Sequence, residues 1–208
     1  MNFTNKKCLI AYFPRKGQNY VSGKIVDLKV GNTAVIANMI QKITGGDTFH
    51  IEPVTAYPED YTETTEVAKK ELRAKARPKL KRKVENMGAY DVIFLGYPNW
   101  WGTPPMAVFT FLESYDFSGK TIIPFCTHEG SGMGHSEKDI ANACPKATVL
   151  EGIAIHGTSA SSADSEVSSW FRTLVLKSAQ RGHPKGSWPV RLSGTPKGKF
   201  LKDVFLRI

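Results

Sequence analysis

Three glycine-bearing stretches of this 208-residue chain carry side chains suited to gripping a ligand. The first is Pro14-Arg15-Lys16-Gly17-Gln18-Asn19, resumed at Gly31-Asn32-Thr33. It runs into a helical pattern, and backbone N–H groups at a helix start, with the helix dipole, attract anions. Thr33 adds a hydroxyl, and Arg15 or Lys16 a positive charge. The stretch lacks both GxxxxGK[ST] and GxGxxG, which disfavours a nucleoside-triphosphate loop and the usual dinucleotide fingerprint. An ordinary strand-to-helix turn with an insertion explains it equally well.

The second stretch is Tyr97-Pro98-Asn99-Trp100-Trp101-Gly102-Thr103. Two adjacent tryptophans at a loop tip are hard to bury together. An exposed indole offers an aromatic ligand a flat face, worth about 0.5–1.5 kcal/mol beyond the area buried. Gly102 reaches backbone conformations closed to other residues. A patch for a partner protein is the competing reading. The third stretch is Thr127-His128-Glu129-Gly130-Ser131-Gly132-Met133-Gly134. Its glycines let backbone amides approach a planar ring. His128 and Glu129 read as polar rim residues, or as an acid–base pair lacking a third group to orient it. Together the three stretches suit a phosphate-bearing aromatic cofactor.

Other chemistry-bearing residues point nowhere so definite. His50, His135, His156 and His183 show no metal-ligand spacing. Cys8, Cys126 and Cys144 are odd in number and form no CxxC, so they read as small buried thiols in a reducing compartment. The run Lys69–Lys83 holds nine basic residues. It reads as a solvated helix face and loop, or as a docking surface for an acidic partner. Of the formal charge of +9, the segment from Lys177 to Ile208 carries +7, so the basic character lies mostly in the tail. No apolar run approaches the roughly 18 residues needed to cross a bilayer. The polar start from Met1 to Lys7 does not read as a signal peptide. The expectation is a soluble, cytoplasmic protein without membrane association, nucleic acid being an unlikely partner.

The elements that must position these stretches alternate in type. Strands are expected at Lys7–Phe13, Asp47–Ile51, Asp91–Gly96, Thr121–Cys126 and within Ala147–Ile155. Pro124 is awkward inside a parallel sheet. Helices are expected at Thr33–Ile43 with Asn32 as N-cap, at Thr65–Ala76, after Pro104 or Pro105, at Glu137–Ala143 and at Ser165–Leu176. Ile25, Val26, Leu28 and Val30 suggest a small extended element inside the first stretch. Five β-α repeats argue for one α/β domain with a parallel sheet and helices on both faces. All three stretches then leave the same sheet edge, where ligands bind at the switch in winding direction.

GNTAVIANMI, FLGYPNWWGTPPMAVFTFLE and FSGKTIIPFCTHEGSGMG give the chain a resemblance to the flavodoxin family, over about Lys7 to Leu176, with an enlarged first loop. The resemblance implies a doubly wound five-stranded parallel sheet of order 2-1-3-4-5. Flavodoxin is itself a standard illustration of that order, so the order comes from the family rather than from these residues. It further implies FMN, bound non-covalently. The phosphate would lie on Arg15, Lys16, Gly17, Asn32 and Thr33. The ring would stack on Trp101, or next on Trp100. Backbone from Pro98 and Asn99 to Gly102 would face its reactive edge. Backbone of Thr127, His128, Glu129, Gly130 and Gly132 would face the pyrimidine edge. The chain departs from the family at Pro14, which lacks an N–H, and at Lys16. The expected domain is residues 1–176; residues 177–208, without clear period and rich in Gly, Pro, Ser and basic residues, read as a loosely ordered basic tail. The implied function is electron transfer between a reductase and an acceptor. Alternatives are an NAD(P)H-dependent FMN reductase of quinone-like acceptors and a binding module whose flavin site has decayed.

Overall fold

The computed structural model describes residues 6–181, so the expectation for the tail beyond Arg181 lies outside the described residues. The central sheet contains β1 (Cys8–Tyr12), β4 (Asp47–His50), β5 (Val92–Pro98), β6 (Thr121–His128), β7 (Thr148–Val149) and β8 (Ile153–His156). All pairings are parallel, in the order β4-β1-β5-β6, with β7 and β8 successively on the far edge of β6. Counting β7 and β8 as one broken fifth strand, this is the order 2-1-3-4-5.

Proline explains the break. Thr121 N–H donates to Asp91 O at 2.9 Å, and Leu150 N–H donates to Ile122 O at 2.9 Å. Backbone groups of a parallel strand alternate between neighbours, so Pro124 turns its missing N–H toward the edge strand. There Leu150-Glu151-Gly152 bulges out between β7 and β8, and the ladder resumes at Phe125 opposite Ile153. The β5 side of Pro124 keeps its register against Leu95.

Helices cover both faces. α1 (Asn32–Thr44) and α5 (Asp164–Arg181) bury Ile36, Ile40, Val167 and Leu174 against Ile10, Phe94 and Phe125. On the other face α3 (Met106–Glu113) and α4 (Ser136–Ala143) bury Val108, Phe111 and Ile140 against Leu9, Ile93 and Ile122, with Leu72 of α2 (Tyr61–Ala74) packed at the margin. Residues of β5 and β6 are buried on both faces, as a central parallel strand requires.

Three expectations are corrected. Asn32 is the first helical residue of α1, and Gly31 occupies the cap without a side-chain bond. α2 starts at Tyr61 rather than Thr65, because the Asp60 side chain accepts from Glu63 N–H at 2.8 Å. The excursion in the first stretch is an antiparallel hairpin of β2 (Gly17–Val21) and β3 (Lys24–Leu28); the sequence reading saw only its second arm. Among the described residues no helix is long and apolar enough to cross a membrane.

Candidate functional site

β1, β5 and β6 end side by side, and their loops are bonded to one another. Phe13 N–H donates to Gly96 O at 2.9 Å, and Asn99 N–H to Thr127 O at 2.8 Å. Asn99 Nδ2 donates to Gly132 O at 2.6 Å. The buried hydroxyls of Thr33 and Thr127 lie 2.8 Å apart. The three stretches therefore converge on one rim.

In the first loop, Gly31 O accepts from the N–H groups of Ala34 and Val35. A Cβ on Gly31 would lie 2.1 Å from Arg15 O, so only glycine lets the start of α1 press against the loop. The N–H groups of Asn32 and Thr33 precede the helix's own ladder and have no hydrogen-bond partner among the described residues. The Arg15 guanidinium donates to Pro58 O at 2.8 Å, Glu59 O at 3.1 Å and Thr64 Oγ1 at 3.1 Å. Each acceptor is neutral, and Arg15 forms no ion pair among the described residues. Burial lowers its pKa, with the Glu59 charge opposing, but a guanidinium remains protonated at any physiological pH. A half-buried positive charge without a bonded anion thus stands on a loop whose backbone packs against the open start of α1.

In the second loop, Trp100 and Thr103 exchange backbone hydrogen bonds at 3.0 and 3.3 Å. They close a turn whose centre is Trp101 at φ 57 and Gly102 at φ 85. A bulky residue in the left-handed region is strained, and such strain gathers at functional sites. The two indoles part company. Trp100 packs inward, edge-on to Phe13 and Tyr57 with centroids 5.4 and 5.1 Å away. Trp101 is 49% exposed. Its Nε1–H donates to Thr65 O at 3.2 Å, and Lys69 Nζ sits 5.1 Å from its ring centroid. His135 supports the turn from behind: its N–H donates to Gly102 O at 2.9 Å. Its Nδ1 and the Thr103 hydroxyl both reach Asp139 Oδ2 at 2.5 Å. Metal-ligand spacing does not single out His135; its spacing of four from Asp139 is the sequence signal for this pair.

In the third loop, His128 Nδ1 accepts from Gly130 N–H at 2.9 Å. His128 pairs in register with His156 on β8, ring centroids 5.4 Å apart. Glu129 Oε2 accepts from Ser22 N–H at the hairpin tip, at 3.2 Å, and lies 3.8 Å from His156 Nε2. His156 is therefore the third group that the sequence did not supply, because only parallel pairing of β6 with β8 brings it there. Glu129 Oε1 and Asn99 Oδ1 are buried without hydrogen-bond partners.

Burial and the His156 charge hold the His128 pKa below the ordinary histidine value, with Glu129 opposing. A histidine depressed on folding takes up protons more readily when unfolded, so stability is full above about pH 6.5 and falls as pH drops. The urea midpoint of the flavin-free protein is expected to decline from pH 7 to pH 5. His128→Gln should flatten that decline; an unchanged slope would assign it elsewhere.

A cavity of about 400 Å³ opens between Arg15, Asn19, Tyr61, Thr64, Asn99 and Trp101, with Trp100 in its wall. Asn32, Thr33, Thr127 and Glu129 stand together where α1 begins: a Cβ on Gly157 would meet both Glu129 Oε1 and Asn32 Nδ2. Pro98 ends β5, Gly130 is exposed, and Gly132 O holds Asn99. Lys16 and Gly17 instead line a larger space of about 790 Å³ that Arg15 also borders, with Lys29, Lys81, Asp27 and Glu52.

The flavodoxin family model matches residues 7–174. A flavoprotein of known structure from Bacteroides eggerthii is 31% identical, with a TM-score of 0.65 over 81% of this chain and 98% of its own. One from Bacteroides uniformis is 29% identical, with a TM-score of 0.62 over 80% and 98%. A flavoprotein in complex with FMN from Lactobacillus acidophilus shares the fold at 20% identity, with a TM-score of 0.57 over 80% and 99%. No curated protein matches the chain.

Proposed function

Given that the chain belongs to the flavodoxin family, we propose that it holds FMN non-covalently at this rim and carries electrons between a reductase and an acceptor. The observation that carries the reading is the Arg15 charge without a bonded anion, across one cavity from an exposed indole, on a loop whose backbone packs against the open start of α1. FMN has a complementary part for each. Its phosphate suits Arg15 and the N–H groups of Asn32 and Thr33. Its ring suits Trp101. Its N3–H and ribityl hydroxyls are donors for the orphaned oxygens of Asn99 and Glu129. The FMN complex of the Lactobacillus acidophilus flavoprotein supports the same ligand.

FMN supplies the redox chemistry, accepting and returning electrons one or two at a time. The chain's residues bind and orient it. Arg15 and α1 hold the phosphate end. Trp101 covers ring surface and keeps water from it. His135 and Asp139 fix the Trp101-Gly102 turn, and so the direction of its backbone groups. Cys126 lies beneath the third loop with Sγ donating to Gly132 O at 3.4 Å. Burial pushes this thiol up to about 12, so it stays protonated and adds no nucleophile.

A second reading is a reductase that takes NAD(P)H directly. The larger space beside the first loop, with Lys16, Lys29 and Lys81, favours it. Mixing the FMN-loaded full chain with NADPH and a quinone, with and without an added flavoprotein reductase, separates the two. A carrier is expected to be reduced only when the reductase is present. Steady NADPH oxidation by the chain alone, at about 1 s⁻¹ or faster, would establish the reductase instead.

A further inference from the structure

We propose that the basic face made by the last turns of α2, from Lys69, and the segment after it docks an acidic redox protein beside Trp101, an inference that rests on the flavin-carrier reading. Residues 6–181 hold 22 basic and 18 acidic side chains. Lys69–Lys83 accounts for nine of the basic residues and one acid, leaving 13 basic against 17 acidic elsewhere. The domain therefore has a positive pole on an otherwise acidic body.

The structure keeps that pole exposed and unneutralised. Arg77 is taken by Glu113 at 2.6 Å, and Lys81 lies 4.0 Å from Glu52. Lys70, Arg73, Lys75, Lys79, Arg82 and Lys83 are exposed and form no ion pair among the described residues. The run's single acid, Glu71, is turned inward and accepts from the Tyr57 hydroxyl at 2.5 Å. Cations near the end of α2 complement the helix dipole, but Lys79 to Lys83 lie beyond the helix, where the dipole gives no reason for them. They are also held in place: Val54 N–H donates to Lys79 O at 2.7 Å, and Lys81 N–H to Glu52 O at 2.8 Å.

The pole borders the candidate site. Trp101 is bonded to Thr65, and Lys69 covers its ring. At about 1.5 Å of rise per residue, Arg73 lies about 12 Å along α2 from Thr65. A partner seated on Lys70 and Arg73 would meet the rim that carries Trp101, and complementary charge would speed and orient the encounter. The run from Lys69 to Lys83 contains no aromatic residue on which bases could stack. Its leucines, Leu72 and Leu80, pack inward on the core and leave no apolar face for a membrane. An acidic protein fits this surface better than nucleic acid or lipid.

The test measures binding of the full chain to a small acidic [2Fe–2S] ferredoxin, with single-stranded DNA and phosphatidylserine vesicles as comparison probes. Ferredoxin affinity is expected to fall about tenfold or more between 50 and 300 mM salt as the Debye length shortens. It should fall about tenfold in Lys70→Glu/Arg73→Glu/Lys83→Glu, and by less in the matching glutamine set. A tail variant, Lys197→Glu/Lys199→Glu/Lys202→Glu, should stay within about twofold of the parent. Unchanged ferredoxin binding in the glutamate variant overturns the proposal. So does a loss confined to the tail variant, or tighter capture of DNA or vesicles through the same three residues. Binding is read without flavin as well as with it, so a chain that takes up no FMN refutes the carrier reading and leaves this surface separately tested.

Discussion

Replacing Arg15 with methionine is expected to weaken FMN binding by about 10- to 100-fold while altering riboflavin binding by less than about threefold. The first figure follows from a charge-assisted phosphate contact worth about 1.5–3 kcal/mol. The second follows because riboflavin has no phosphate for the guanidinium to meet. Arg15 also braces the first loop, donating to Pro58 O and Thr64 Oγ1. The variant should therefore lose about 1–3 kcal/mol of stability as those acceptors go unsatisfied. Arg15→Lys keeps the charge without the fork and should fall between. Calorimetric titration with both flavins separates the roles. Equal weakening of FMN and riboflavin would reduce Arg15 to a brace.

Gly31→Ala should cost about 2–3 kcal/mol and weaken FMN by more than about tenfold, without changing any charge. The new Cβ would lie 2.1 Å from Arg15 O and 2.6 Å from Arg15 C, both backbone atoms that no rotamer change can move. Relief requires the start of α1 to withdraw from the first loop by about an ångström, opening the anion site as it goes. Gly45→Ala is the control. Its φ of 64 makes alanine strained, but nothing lies within 4 Å of the new methyl, at the far end of α1. It should cost about 1 kcal/mol and leave FMN affinity intact. Urea denaturation and flavin titration of both variants check the pair. A Gly31→Ala protein with parental flavin affinity would show that the close approach serves packing alone.

The sheet was legible because β-α alternation and apolar strands are local patterns that parallel pairing then enforces. The convergence of three loops was legible for the same reason: topology puts every strand end of such a sheet on one rim. What escaped depends on contacts between distant residues. Asn32 has the composition of an N-cap, yet close packing against Arg15 O reserves the cap for Gly31. The first arm of the hairpin, GQNYV, carries little apolar patterning because its side chains are mostly half-buried at the rim. Two tryptophans in a row could not be told apart in sequence; the turn at Trp101-Gly102 sends one inward and the other out. His156 joins His128 only through the register of β6 with β8. Pro124 disturbs the ladder, but the parallel sheet tolerates it because the missing donor faces a strand that can bulge.

The central claim is that one rim grips one flavin. Titrating the flavin-free full chain with FMN, while following visible absorbance and tryptophan fluorescence, tests it most directly. The expected result is saturation at one equivalent with a dissociation constant of about 1 µM or below, and about tenfold weaker binding in Trp101→Ala. A chain that stays colourless in excess FMN, or that binds it with the same affinity in Trp101→Ala and Arg15→Met, would contradict the claim.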